Sequence, residues 1–126
     1  MFPDVASPKS ILVVDDSDLK RVLLVHHLLK HFPTTQIVQC NGGAEAIEQL
    51  KLTAFDAVVT DNNMLPVNGI ELILWIRSNL AHFPIVMVSG NPHIEEKALS
   101  AGADAVLNSL QFKKLGETLE KLFRQS

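Results

Sequence analysis

Chemistry in this chain is concentrated in its acids. Asp15 and Asp16 close the apolar run ILVV at residues 11–14, and Asp61 closes a second run, FDAVVT, at residues 55–60. Three carboxylates brought to one place repel one another unless a cation neutralises them. Hard oxygen ligands that leave positions open for water favour Mg²⁺. A single acid in such a position is commonly a helix cap or a solvated loop residue, but three at the ends of two strands point to a site. Other reactive side chains are sparse. His27 and His31 stand four apart beside His26, a spacing that suits two metal ligands on one helix face, yet no third ligand accompanies them, so they are read as surface or packing histidines. Asp16 and Asp18 echo the Asp-x-Asp opening of haloacid-dehalogenase-like phosphatases. That family prefers Thr or Val where Lys20 stands here, and the reading is set aside. Cys40 is the only cysteine, so no internal disulfide can form; it reads as a small buried hydrophobe. Trp75 is likewise expected to pack.

The acids need a frame to converge. Residues 11–14 form a continuous apolar run of the kind buried on both faces of a parallel sheet. Leu19, Val22, Val25, Leu29 and Phe32 then recur at helical spacing up to Pro33, with Ser17 or Asp18 available as the cap. A strand over residues 36–40 is followed by a helix with its stripe at Ala44, Ile47 and Leu50, a third strand over 55–60, a helix over 69–80 and a fourth strand over 85–88. A short helix over 92–101 stopping at Gly102, a fifth strand over 105–107, and a last helix with Phe112, Leu115, Leu119 and Leu122 on one face complete the pattern. Right-handed crossovers then predict an α/β, flavodoxin-like doubly wound fold: a five-stranded parallel sheet of order 2-1-3-4-5 with helices on both faces. In that order the strands ending at Asp15 and Asp61 are neighbours at the point where strand order reverses, where such folds bind ligands. Residues 1–9 are expected to form a flexible arm and residues 10–126 one domain.

Composition excludes several classes. At 126 residues the chain holds one core; 47 % hydrophobic and 20 % charged residues argue against disorder. A formal charge of -3 lacks the basic excess that a phosphate backbone attracts, so no direct nucleic-acid partner is expected. No signal-peptide pattern and no apolar run of about 20 residues is present, so the expectation is a cytoplasmic protein without membrane contact.

Taken together, ILVVDD at 11–16, VVTDNNMLPVNGIEL at 58–72, PIVMVSG at 84–90 and AGADAVL at 101–107 resemble the receiver domain of two-component response regulators, over nearly the whole chain. The resemblance implies that Asp61 accepts a phosphoryl group from a sensor histidine kinase or phosphotransfer protein, and that the domain signals through a downstream protein partner. It further implies that Asp16 binds Mg²⁺ directly, Asp15 assists through water, Asn63 contributes its backbone carbonyl, and Ser89 hydrogen-bonds the phosphoryl group and switches. It implies self-catalysed phosphoryl transfer at most, rather than an enzyme acting on a separate substrate. The chain departs from the family at several points. Ser109 and Leu110 replace the Lys-Pro pair after the fifth strand, Val106 replaces a switching aromatic, the stretch before Ala101 is about two residues short, and Pro66 stands one position late. Lys113 and Lys114 lie too far along to substitute. Without the lysine the carboxylates are expected to repel, raising at least one carboxylate pKa, and a phosphorylation-independent interaction module is the competing reading.

Overall fold

The computed structural model of the chain describes residues 7–125. Five parallel strands, β1 (Ser10–Val14), β2 (Gln36–Cys40), β3 (Ala57–Thr60), β4 (Ile85–Ser89) and β5 (Ala105–Asn108), form one sheet in the order β2-β1-β3-β4-β5. They alternate with α1 (Asp18–His31), α2 (Gly43–Leu52), α3 (Gly69–Asn79), α4 (Glu95–Ala101) and α5 (Leu115–Gln125), the last entered through a 3₁₀ segment, Ser109–Lys114. Fold class and strand order agree with the sequence expectation.

Side-chain alternation sorts the core into two layers, because successive strand residues point to opposite faces. Ile11, Val13, Ala57, Val59, Val86 and Val88 meet Leu24 and Leu28 of α1 and Leu115 and Leu119 of α5. Leu12, Val14, Val58, Ile85 and Met87 meet the other three helices, chiefly through Leu72, Ile73 and Ile76 of α3. Trp75 packs against this second layer, as expected, and Cys40 is buried in it. Burial, followed by the charge of Glu45, pushes the Cys40 thiol up to about 12, so it stays protonated and unreactive.

Some elements differ from expectation in detail. On α1 the buried residues are Leu24 and Leu28, continued by Phe32, whereas Leu19 is 70 % and Val22 59 % exposed. The helix carries two overlapping apolar stripes, and tertiary anchors choose between them. Ser17 caps the helix by accepting from Lys20 N–H, and Arg21 donates to the Asp15 carbonyl and to Gln39. On α2 Gly43, Ala46 and Leu50 are buried; of the expected stripe Leu50 is buried and Ile47 packs partly buried against the core, while Ala44 is exposed. Helix α4 begins at Glu95 rather than residue 92, since Asn91 forms a turn that accepts from the N–H groups of His93 and Ile94. Of the arm expected over residues 1–9, residues 1–6 lie outside the described residues. Pro8 and Lys9 are fastened to the domain: the Pro8 carbonyl accepts from Thr35 Oγ1, and Lys9 N–H donates to Asp56. Among the described residues no helix is long and apolar enough to cross a membrane.

Candidate functional site

Register alone sets two of the acids side by side. Val14 pairs with Thr60 across the β1–β3 ladder, so Asp15 and Asp61, the next residues on each strand, emerge together. Each is fixed by one further ladder bond, Asp15 N–H to the Cys40 carbonyl and Asp61 N–H to the Val14 carbonyl. Alternation carries both side chains toward the face covered by α1 and α5. Gly69, the first residue of α3, locks the far side: a Cβ there would lie 2.2 Å from the Asp61 carbonyl oxygen, so only glycine lets the helix start against the acid's backbone. Asn62 secures the same junction, accepting from Gly69 N–H at its carbonyl and from Ile70 N–H at its side chain.

One oxygen each from Asp15, Asp16 and Asp61 lie within 4.8 Å of one another, the spacing of a shared cation site. Asp15 and Asp61 are buried and Asp16 is exposed, which gives the cluster a closed inner wall and an open mouth. Asp15 Oδ1 accepts from Ser17 N–H, while Asp15 Oδ2 and Asp61 Oδ1 are buried without a hydrogen-bond donor. Two buried carboxylate oxygens without a hydrogen bond, next to a third acid at the mouth, fit a hard divalent ion such as Mg²⁺. Asn63, itself exposed, lies two residues past Asp61 in the loop before α3, and the Leu65–Pro66 peptide in that loop is cis.

The expectation of an uncompensated acid trio is corrected. Lys20 Nζ, in the first turn of α1, lies 3.3 Å from Asp15 Oδ2 and 3.5 Å from Asp61 Oδ1, the two oxygens that lack hydrogen bonds. The Asp61 carboxyl is nonetheless raised above its ordinary range. Burial is the chief cause and the Asp15 charge a smaller one, while Lys20 and the Asn62 backbone pull the other way. Repulsion was the expected cause; desolvation is the larger one.

Ser89 ends β4 and is buried, its Oγ turned back to accept from Asn91 N–H at 3.1 Å, which leaves the hydroxyl proton free to donate elsewhere. Ser109 follows β5 directly, and its buried hydroxyl has no partner. It shares a small cavity of about 40 Å³ with Lys20, Leu23, Leu24, Val88 and Phe112. Val106 packs against the core. The histidines serve the α1–α5 contact: His27 Nε2 accepts from Gly116 N–H, and His31 pairs with Glu120 at 2.7 Å. Acids at the opposite end of the sheet are structural, Asp56 accepting from Lys9 and Ser10 N–H and Asp104 from Ile85 N–H and Arg77. Sequence reading missed Lys20 as a site residue. Its signal was parity: residues 15 and 61 continue the strand positions that face α1, so a cation in the first turn of that helix comes to lie over them.

Comparison with known proteins follows the same lines. A family model described as the response regulator receiver domain matches residues 11–119. The chain is 33 % identical over 121 residues to chemotaxis protein CheY-3 of Vibrio cholerae, covering 91 % of this chain and 92 % of that protein. It is 32 % identical over 114 residues to the transcriptional regulatory protein ZraR of Escherichia coli, matching 88 % of this chain but 25 % of that protein. Among solved structures, the response regulator TrrA of Thermotoga maritima in complex with Mg²⁺ and BeF superposes with a TM-score of 0.81 at 30 % identity, over 90 % of this chain and 98 % of that one.

Proposed function

The chain belongs to the response regulator receiver domain family, and from that premise we propose that Asp61 is its phosphoacceptor and that the domain signals through protein contacts that depend on this phosphorylation. The observation that carries the reading is the convergence of Asp15, Asp16 and Asp61 at the carboxyl ends of β1 and β3, with two buried oxygens that the Lys20 ammonium faces. TrrA, bound to Mg²⁺ and BeF, adds support by similarity. A carboxylate oxygen of Asp61 attacks phosphorus of a phosphohistidine on a sensor kinase or phosphotransfer protein. A new P–O bond forms, the P–N bond breaks, and its electron pair leaves on the imidazole nitrogen, which takes up a proton. When bound, Mg²⁺ supplies positive charge for the phosphoryl oxygens, with Asp15, Asp16, Asp61 and the carbonyl of Asn63 as its holders. Ser89 donates its free hydroxyl proton to the phosphoryl group, and the rigid Gly69 junction keeps Asp61 aimed. Incubation with Mg²⁺ and acetyl phosphate or phosphoramidate, read by intact mass, is expected to add one phosphoryl group to the wild type and none to Asp61→Asn. No addition to the folded wild type under any condition sinks the proposal.

Ser109 and Val106 favour a second reading, an interaction module indifferent to phosphorylation. It predicts equal partner affinity for wild type, Asp61→Asn and the beryllofluoride-treated protein. A tenfold difference, about 1.4 kcal/mol of coupling, excludes it.

A further inference from the structure

Of the cations beside the carboxylate cluster, Arg21 is engaged with the Asp15 carbonyl, Gln39 and Asp18, whereas Lys20 faces the carboxylates themselves. A lysine in the first turn of a surface helix would ordinarily extend into water. Here it is only a third exposed and its ammonium sits against two buried carboxylate oxygens at 3.3 and 3.5 Å. It reaches them from α1, on the face to which residues 15, 61 and 109 all point by strand parity, and it lines the same small cavity as the unpartnered Ser109 hydroxyl. The side chain leaving α1 and the one leaving the end of β5 therefore address one spot.

We propose that Lys20 is the phosphoryl-binding cation of this domain, supplied from α1 in place of a lysine after β5. The inference rests on Asp61 being the phosphoacceptor. Its physical content is a change of partner. In the metal-free protein the ammonium neutralises Asp15 and Asp61. A divalent cation drawn to those carboxylates competes with it, and the flexible four-carbon stem lets the ammonium move off without leaving the cluster. Once Asp61 carries a phosphoryl group, new anionic oxygens lie where the amine can reach, and the contact is a charge-assisted one. Two opposite effects follow from removing the charge. Mg²⁺ alone should bind more tightly, because its competitor is gone. Beryllofluoride, the phosphoryl mimic, should bind more weakly in the presence of Mg²⁺, because a ligand of its fluorines is gone. A lysine that merely neutralises the acids produces the first effect and not the second, so the beryllofluoride affinity decides.

The test uses wild type, Lys20→Met, which keeps the length of the stem, and Lys20→Arg, which keeps the charge. Mg²⁺ affinity is measured by calorimetry, beryllofluoride affinity at saturating Mg²⁺ by the same method, and folding of each protein by circular dichroism. Lys20→Met is expected to tighten Mg²⁺ binding several-fold and to weaken beryllofluoride binding at least about tenfold, the scale of one hydrogen bond to a charged group. Lys20→Arg should retain most of the beryllofluoride affinity. Unchanged beryllofluoride affinity in Lys20→Met overturns this inference alone, whatever happens to Mg²⁺. A wild type that binds Mg²⁺ but no beryllofluoride overturns it together with the assignment of Asp61.

Discussion

At the scale of single residues, charge placement matters more than residue type at one alignment position. Ser109, a neutral residue, follows β5, yet the carboxylates have a neutraliser, Lys20, on a different element. The consequence is a non-additive pair. In the metal-free protein, Lys20→Met leaves Asp15 and Asp61 buried without a counter-charge. Lys20 is partly exposed, so the expected cost is about 1 to 2 kcal/mol, between the values for surface and fully buried pairs. Ser109→Lys in that background should recover at least half of the loss. In the wild type the same substitution sets a second ammonium beside the first and should gain nothing. Urea unfolding of the four proteins in EDTA closes the cycle, with a coupling on the order of 0.5 to 3 kcal/mol expected for residues sharing one cavity. An identical effect of Ser109→Lys in both backgrounds would show that the two positions do not meet. Asp15, Asp16 and Asp61 were legible in the sequence, since acids directly after apolar runs need no tertiary information. Lys20 was not, because its relevance depends on how α1 is rotated, and two apolar stripes on that helix left the rotation open.

At the scale of elements, the rotation of α1 can be checked directly. Leu28 is fully buried between β1 and α5 while Leu19 is 70 % exposed, so Leu28→Ala is expected to cost about 2 to 5 kcal/mol and Leu19→Ala less than about 0.5 kcal/mol. Equal costs in chemical denaturation would place the helix in its other register. The α1–α5 contact also contains a titration. Burial lowers the pKa of His27, with the positive charges of His31, Lys30 and Lys113 adding to it, and its Nε2 accepts from Gly116 N–H, a bond only the neutral ring can make. Glu120 of α5 faces the neighbouring His31 rather than His27. With the folded pKa below the unfolded value, the unfolded chain binds the proton first, so stability falls as pH drops below about 6.5 and levels off only beneath the folded pKa. His27→Gln should flatten that slope between pH 7 and 5 in thermal melts; an unchanged slope would assign the acid sensitivity elsewhere. Element existence and order were readable because most strands are short apolar runs, β2 with its two glutamines excepted, and polar, proline or glycine residues separate them from the helices. The start of α4 was not, since the turn built by Asn91 competes with helix at a point where composition alone favours neither.

At the scale of the whole molecule, the cluster joins two strands that are far apart in sequence, β1 and β3, at the centre of the sheet. A cation held there stabilises the native state by mass action, because the unfolded chain offers no such set of ligands; at one hundred times the dissociation constant the gain is about 2.7 kcal/mol. Lys20 is expected to reduce the stabilisation that Mg²⁺ gives, since it already compensates part of the carboxylate charge in the metal-free protein. Deleting Asp15 or Asp61 would confuse metal loss with damage to the fold, because both are buried and Asp15 also holds Ser17 N–H. Asp16 is the cleaner probe. It is exposed. Asp16→Asn is therefore expected to melt in EDTA within a degree or two of wild type, or slightly higher because one negative charge leaves the cluster. Its rise in melting temperature on adding millimolar Mg²⁺ should be less than half the wild-type rise. Ca²⁺ and Mg²⁺ titrations of both proteins, with NaCl matched for ionic strength, separate site binding from general screening. If the Mg²⁺-induced rise is the same in wild type and Asp16→Asn, the exposed acid is not a ligand, and the metal's stabilisation does not pass through it.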